Sequence, residues 1–193
     1  MSTLSKSLLL IAVLTVAACQ SVPLAKNWQQ SAENKPAFDA SGRLAVKQQD
    51  KGSYANFDWS SNQHKQQLDV NTPLGNTVGQ LCLDRLGVVA IASDGSQFQA
   101  HTASELSQRL LGFEVQLEAL DVWLHGHWHS NSTHSVDAQG RLQQDGWTIS
   151  RYLDAQGQPK ELLLERPELS LRLLLTHYES PSTMLEGQTC ERE

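Results

Sequence analysis

From residue 41 onward, apolar and polar residues alternate along most of the chain with a period of two, which is typical of half-buried β-strands. In one such run, Ala55, Phe57 and Trp59 fall on the same face. Turn-forming residues such as Pro73-Leu74-Gly75 and Asp94-Gly95 separate the runs, and this close spacing predicts an antiparallel meander. Apolar positions with the two-residue spacing recur around residues 44–46, 55–59, 68–70, 81–83, 89–91, 98, 142, 147–153, 162–164 and 169–175.

Two segments in the middle of the chain have helical rather than strand character. Residues 102–111 begin with Thr102 and carry Glu105 three positions later, which is a capping box, and Gly112 follows as a helix end. Residues 117–124 form a second short apolar segment, for which we also predict a helix.

A third helix is predicted before the first strand, over residues 23–36. Leu24 and Trp28 are four positions apart there, which would place both side chains on one helix face. An antiparallel sheet interrupted by two helices predicts a curved half-barrel with the helices laid across its open side. The periodicity leaves open whether the inner face is a packed core or a cavity.

The N-terminus has the features of a bacterial signal peptide, residues 1–18. Lys6 precedes a nine-residue apolar stretch, 8–16, which is too short to span a bilayer core of about 30 Å. The sequence Val16-Ala17-Ala18-Cys19 is similar to a lipobox, which predicts lipidation of Cys19; the alternative is an ordinary secretory signal cut after Ala18. Gln20 is not acidic, which indicates outer-membrane rather than inner-membrane retention.

After removal of the signal peptide we expect one domain over residues 19–178, followed by a loose polar tail, 179–193. The whole chain has 15 basic and 21 acidic residues, a net charge of −6; without Lys6 the mature chain has 14 − 21 = −7. No basic cluster is present, which argues against nucleic acid as a partner. Phosphate-binding loops, nucleophile elbows and metalloprotease motifs are also absent, so we predict no cofactor and no catalytic residue.

Two further sets of side chains have ambiguous roles in the sequence. His125, His127 and His129 alternate and could share one face of an extended metal-binding segment, but the interpretation we prefer is a solvated loop. No metal site is therefore assigned. Cys82 lies in a predicted strand and Cys190 in the tail; they could form a disulfide, or Cys82 could be a buried free thiol.

The order of several short motifs, together with the lipobox, resembles the LolB family of outer-membrane lipoproteins across residues 19–178. One departure is the histidine-rich sequence after Gly126, where the family usually continues with proline. The motifs that carry the resemblance are Trp28, Gly42-Arg43-Leu44-Ala45-Val46, Phe57-Asp58-Trp59, Thr72-Pro73-Leu74-Gly75, Leu120-Asp121-Val122-Trp123-Leu124-His125-Gly126 and Gln144-Asp145-Gly146-Trp147.

The resemblance implies a mainly β fold, an incomplete antiparallel β-barrel of about eleven strands closed by about three helices around an apolar cavity. It also implies a non-enzymatic acceptor, anchored in the outer membrane through Cys19 and facing the periplasm. Such a protein takes lipoproteins from a soluble LolA-like carrier and inserts them into the inner leaflet of that membrane. We expect a monomer. Candidate cavity-lining residues are Leu44, Val46, Phe57, Trp59, Leu68, Val70, Leu106, Leu110, Trp147 and Ile149.

The segment Thr72–Gly75 is predicted to be a type I turn, with Pro73 at its second position and Gly75 at its fourth. A tight turn has no room to fold Leu74 inward, so this side chain should project into solvent. The resemblance implies that Pro73, Leu74 and Gly75 form a loop that delivers cargo to the membrane.

The main alternative for the whole chain is a lipid-anchored interaction scaffold with a packed core. An enzyme that uses the histidines ranks third.

Overall fold

The computed structural model describes residues 22–31, 36–111, 113–180 and 188–192, without the side chains of Leu110 and Leu111. The predicted signal peptide, Cys19 and Gln20 lie outside the described residues. Within them, the strands are β1 (Leu24–Ala25), β2 (Gln29–Gln30), β3 (Phe38–Gln48), β4 (Lys51–Ser61), β5 (Gln66–Asn71), β6 (Thr77–Asp84), β7 (Gly87–Ala92), β8 (Gln97–Ala100), β9 (His127–Trp128), β10 (His134–Val136), β11 (Leu142–Gln144), β12 (Trp147–Leu153), β13 (Pro159–Arg166) and β14 (Leu169–Glu179). The helices are α1 (Ala103–Leu111) and α2 (Leu117–Leu124).

The fold is mainly β and is dominated by one large antiparallel sheet. Its strand order is β10-β11-β12-β13-β14-β3-β4-β5-β6-β7-β8, with β1 paired to β12 beside β11. The predicted meander is confirmed, because every predicted strand lies within β3–β8 or β11–β14. In the described part of the chain β8 and β10 end the sheet without pairing to each other, so no closed barrel is found.

The predicted N-terminal helix over residues 23–36 is wrong for the part that the structure describes. Residues 22–31 are extended: Leu24 pairs with Tyr152 on β12, and β2 runs parallel to β9. The indole Nε1 of Trp28 donates a hydrogen bond to the carbonyl of Gly140 over 3.0 Å. Pairing with distant strands overrides the weak local helix propensity of this segment. Two helices, rather than three, are found among the described residues.

The two central helices are confirmed. The Glu105 N–H donates to the Thr102 hydroxyl over 3.1 Å, and a Glu105 carboxylate oxygen accepts from the N–H of His101 over 3.2 Å. This is the capping arrangement that the sequence predicted for α1. Helix α2 has the predicted bounds, and all of its residues except Glu118 are buried.

The hydrophobic core lies on one face of the sheet, which we call the core face, and both helices pack against it. Successive strands place apolar residues opposite one another there; one row runs Ala40–Trp59–Leu68–Leu81–Ala90–Phe98 across six strands. The other face, which we call the outer face, carries Tyr54, Asn56 and Asp58 on β4, as the alternation predicted.

The C-terminal tail is not loose over residues 188–192. A disulfide joins Cys82 on β6 to Cys190, 108 positions later. Arg192 forms two hydrogen bonds with the Asp84 carboxylate, and the N–H of Cys190 donates to the same group. The end of the tail is therefore tied to the outer face of the sheet, which explains why Val89 is buried there.

Candidate functional site

The core face is covered at one end of its strands and partly open toward the other. Phe57, Trp59 and Leu68 are buried beneath α2 and its neighbours, whereas Leu44, Val46 and Val70 are only partly buried. On the core face of β3, burial falls from Phe38 and Ala40, which are buried, through the half-buried Leu44 and Val46 to the exposed Gln48. The rows nearest the β3–β4 turn therefore present apolar side chains that the helices do not fully cover.

The ten candidate cavity-lining residues divide into three groups. Those packed in the buried core are Phe57, Trp59, Leu68, Leu106, Trp147 and Ile149. Those half-buried on the core face are Leu44, Val46 and Val70. The side chain of Leu110 lies outside the described residues. The half-buried group is the part of the predicted set that the structure leaves partly open.

Helix α2 covers the closed end, and Asp121 is its polar anchor. This carboxylate is fully buried; it lies 3.0 Å from His125 Nδ1, and its other oxygen accepts from Ser61 Oγ and Gln66 Nε2 over 3.5 and 3.4 Å. A buried carboxylate needs such partners because it has lost its hydration. The network joins α2 to β4 and β5.

His125, directly after α2, extends this network to the last strand of the sheet. Its Nε2 lies 2.9 Å from the hydroxyl of Tyr178, and Phe38 packs against both rings. Burial raises the pKa of Tyr178 above its usual value. The predicted solvated loop is wrong for His125, because its side chain is mostly buried.

Gln144, which the sequence indicated only as the first residue of the Gln144–Trp147 motif, hydrogen-bonds to α2 and to the segment after it. Its Oε1 accepts from Trp123 Nε1 and from the His129 N–H, over 3.0 and 3.1 Å. Its Nε2 donates to the His129 carbonyl and to Ser132 Oγ. One buried amide thus satisfies polar groups of both the helix and the loop that follows it.

Arg151 is a buried cation on the core face that the sequence analysis did not select. Its Nη2 donates to the carbonyl of Asn27, and its guanidinium lies 5.7 Å from the centre of the Trp28 ring. Gly126 has a φ of 79°, which other residues adopt only with strain, and a Cβ there would come 2.5 Å from Nη2 and displace the guanidinium. Burial lowers the pKa of Arg151 from its usual value. The alternation along β12 could have identified Arg151, because it lies on the same strand face as Trp147 and Ile149.

The turn between β5 and β6 has the geometry expected from the sequence. The Gly75 N–H donates to the Thr72 carbonyl over 2.9 Å, and Gly75 has a φ of 89°, which glycine adopts without strain. The Asn76 N–H donates to the Thr72 hydroxyl. Leu74 is 91% exposed, as predicted, and lies at the tip of the turn.

The alternating histidines do not converge. His125 is engaged by Asp121 and Tyr178, whereas the rings of His129 and Trp123 lie edge to face, and His134 stacks on Trp128. Among residues 22–31, 36–111, 113–180 and 188–192, no three His, Cys, Asp or Glu side chains are placed to hold a metal ion.

A cleft of about 300 Å³ lies on the outer face, beside the C-terminal tail. Its lining is about half polar, with Lys65, Gln67, Gln80 and Glu191 around an apolar floor that includes Val89. This cleft differs in position and chemistry from the partly open apolar rows of the core face. In the described part of the chain, no helix has the length and apolarity that a membrane span requires.

Comparison of the amino-acid sequence with known proteins identifies one family. The model of the family "Outer membrane lipoprotein LolB" matches residues 36–178. An outer-membrane lipoprotein LolB of Neisseria meningitidis is 39% identical over 179 residues, 92% of this chain and 93% of that protein. A second, from Chromobacterium violaceum, is 33% identical over 89% of this chain and 97% of its own length. A solved LolA superfamily protein from Nitrosomonas europaea has 7% identity and a TM-score of 0.44, over 78% of this chain and 87% of that one.

Proposed function

The chain belongs to the LolB family of outer-membrane lipoproteins, and from that premise we propose that it accepts lipoproteins from a soluble periplasmic carrier and inserts them into the outer membrane. It is a protein of lipoprotein sorting rather than an enzyme. In the proposed mechanism, the sheet and its helices act as an incomplete barrel whose apolar interior holds the acyl chains of the cargo.

The observation that carries this proposal is the partial exposure of the core face. Leu44, Val46 and Val70 lie at the end of the sheet that α2 leaves uncovered, and they continue the apolar rows of the core. Acyl chains entering there would extend the packing of the core instead of displacing it. The same rows are accessible from the end at which the β3–β4 and β5–β6 turns lie.

Transfer must proceed by affinity alone in this mechanism. Burying an acyl chain contributes about 0.8 kcal/mol per CH₂, so the anchor of a lipoprotein exposed to water costs tens of kcal/mol. Escape through solvent is therefore too slow. We propose direct passage from the interior of the carrier to the core face and then to the bilayer, each step downhill by a few kcal/mol and none requiring ATP.

Two further positions complete the proposed mechanism. Lipidated Cys19 tethers the protein to the inner leaflet of the outer membrane, since two or three acyl chains anchor stably where one alone is reversible. Leu74 enters the interfacial region of the bilayer beside the open end of the core face and assists release. The partner that supplies cargo is a LolA-like carrier, and the acidic charge of this chain suits a basic docking surface on it.

The test of acyl-chain binding uses the mature chain with Cys19→Ala, produced behind a cleavable secretory signal, which keeps the domain but removes the lipid. A fluorescent apolar probe should bind stoichiometrically and be displaced by a lipoprotein anchor. Val46→Gln should weaken probe binding, because it places an amide on the open core face. Ala45→Gln is the matched control, since Ala45 is exposed on the opposite face of the same strand. Equal probe affinity of both variants would contradict the proposal.

The same soluble form tests whether the lipid only tethers the protein. The Cys19→Ala chain should still take a lipoprotein from a purified carrier–lipoprotein complex. If it does not, the lipid anchor takes part in reception itself.

A second candidate, a lipid-anchored interaction scaffold with a packed core, is favoured by one observation. Six of the ten candidate lining residues are buried in the core, Ile149 and Trp59 almost completely. A scaffold of this kind would bind partner proteins but no apolar probe. Absence of probe binding by a folded Cys19→Ala chain would favour it.

A further inference from the structure

The outer face near the β3–β4 turn carries an exposed aromatic ring between two cations. Tyr54 on β4 is 76% exposed. It pairs with Ala45 on β3, so the same-face neighbours on β3 are Arg43 and Lys47, about 7–8 Å away on the two diagonals. Both basic side chains are exposed, and neither forms an ion pair within the part of the chain that the structure describes.

This cluster lies beside the turn that carries Leu74. The last pair between β4 and β5 is Asn56–Asn71. Tyr54 lies two residues before Asn56 on β4, and the Thr72–Gly75 turn begins directly after Asn71, so both lie at the end of the sheet that carries the β3–β4 turn. Tyr54 and Leu74, two of the most exposed large apolar side chains, are therefore found at the same end of the sheet.

Nearby acidic groups form no ion pair with the cluster in the described part of the chain. Asp58, on the same face of β4, is diagonal to Arg43 and keeps its charge, since the hydrogen bond that it accepts from Asn71 over 2.9 Å comes from a neutral amide. Asp50 lies in the β3–β4 turn, and Glu168 accepts from Gln49 at that tip, so both lie beyond Lys47. With two exposed cations and one carboxylate, the surface around Tyr54 is locally basic on a chain with a net charge of −6.

We propose that Arg43, Tyr54 and Lys47 dock the protein on the phospholipid surface, with the two cations bound to headgroup phosphates and the ring at the interface. Tyrosine is enriched at membrane interfaces because its ring is apolar and its hydroxyl remains hydrated. Basic residues near an anionic leaflet each contribute to surface attraction. The inference rests on the proposed delivery role of Leu74 and adds the surface that holds this turn against the bilayer.

This surface also defines how the domain lies on the membrane. Arg43, Tyr54 and Lys47 point from the outer face, whereas Leu74 projects from the end of the sheet. Both can contact one bilayer only if the domain leans onto the outer face of β3 and β4. The half-buried Val46 then remains next to the membrane-facing end, on the other face of the same strand.

The test measures binding of the mature Cys19→Ala chain, freed of its signal peptide, to vesicles without cargo, by co-sedimentation. Wild-type binding should be stronger on phosphatidylglycerol vesicles than on phosphatidylcholine vesicles and should weaken with salt. The combined change Arg43→Gln and Lys47→Gln should lower affinity for phosphatidylglycerol about fivefold for each charge removed. Tyr54→Ser should weaken binding to both vesicle types, because it removes the interfacial ring.

The matched control is the β6–β7 turn, where Arg85 precedes a second exposed leucine, Leu86, which is 66% exposed. Arg85→Gln with Leu86→Ser removes one cation and one apolar side chain from a different turn and should leave vesicle binding unchanged. An equal loss in the control and in the cluster variants would overturn the proposal. All these positions are exposed, so unchanged thermal midpoints check that each variant is folded.

Two outcomes separate this inference from the proposed function. Cluster variants that bind vesicles as wild type does, while Leu74→Glu loses delivery, would overturn the inference and leave the proposed function intact. Cluster variants that bind vesicles normally but no longer accept cargo from the carrier would show a protein-docking surface, and this too would overturn it. Loss of vesicle binding with normal acceptance supports the lipid surface.

Discussion

The indole Nε1 of Trp123 on α2 donates a hydrogen bond to Gln144 Oε1 on β11 over 3.0 Å, and both side chains are buried. Trp123 belongs to a helix that is apolar nearly all round, and its N–H has to find an acceptor inside the core. Gln144 supplies it and, with its remaining polar atoms, holds the loop at His129. The position of the helix on the core face thus depends on this amide as well as on the contacts of Asp121 with Ser61 and Gln66.

The first prediction concerns this amide. Gln144→Met retains the length of the side chain but leaves the indole N–H and the His129 backbone without partners. We expect a loss of about 2–4 kcal/mol in the free energy of unfolding, since several buried groups lose hydrogen bonds. Gln143→Met is the control, because Gln143 bonds to groups outside the helix, Thr148 and Asp137. Urea unfolding of the two variants compares them, and equal losses would contradict the assigned role.

The second prediction concerns Trp147, a candidate lining residue that is only 3% exposed. The guanidinium of Arg166 lies 4.5 Å from the centre of its ring. Trp147→Ala should destabilise the protein by about 3–5 kcal/mol, as expected for an aromatic ring in a packed core. Trp147→Phe should retain most of the stability. A Trp147→Ala chain of normal stability that no longer binds an apolar probe would instead identify Trp147 as a cavity wall.

The third prediction follows from the clamp on the C-terminal tail. Hydrogen bonds from Arg192, and then from the Cys190 N–H, hold the pKa of Asp84 well below its usual range. A carboxylate whose pKa is depressed in the folded state stabilises the fold above the unfolded-state pKa of about 3.9 and loses that contribution as the pH falls toward the folded-state pKa.

The Asp84→Asn chain should therefore be less stable than wild type at pH 7, by about 1.5–3 kcal/mol, because hydrogen bonds to a charged carboxylate are weakened. The difference should shrink when the same urea titration is repeated at pH 3. Asp50→Asn is a suitable control, since Asp50 is exposed in the β3–β4 turn. A stability difference for Asp84→Asn that does not depend on pH would rule out this linkage.

The fourth prediction concerns Leu74. Leu74→Glu should fold normally, because the side chain is exposed, and should still accept a lipoprotein from the carrier. A charge at the tip resists entry into the bilayer, so release into liposomes should be poor. Leu74→Phe and Leu74→Ile should keep delivery, and Leu86→Glu at another exposed turn should have no effect. The measurement is cargo transferred to liposomes at matched acceptance; equal transfer by wild type and Leu74→Glu would refute the role.

Much of the fold followed from local pattern, because strand alternation and helix capping are properties of neighbouring residues. The runs around Phe57, Leu68 and Leu171 lie in strands with the expected buried faces. Thr102 and Glu105 cap α1, and the turn at Pro73 exposes Leu74. The local pattern gave the wrong structure where a segment pairs with strands that are distant in the chain. The helix predicted around Leu24 and Trp28 is instead an extended segment, in which β1 pairs with β12 and β2 with β9.

The sequence by itself determined where the main strands lie along the chain, the two faces of each, the positions of α1 and α2, and the exposure of Leu74. Each of these depends on residues within a few positions of one another. Only the tertiary structure decided that Cys190 bonds to Cys82, that Asp121 is buried with Ser61 and His125, and that Arg151 lies beneath Gly126. Those contacts join residues that are distant in the chain, and their partners are chosen by how the sheet and the helices pack. The same packing decided which apolar residues of the core face, such as Val46, stay partly open, because burial depends on what covers a side chain and not on its own type.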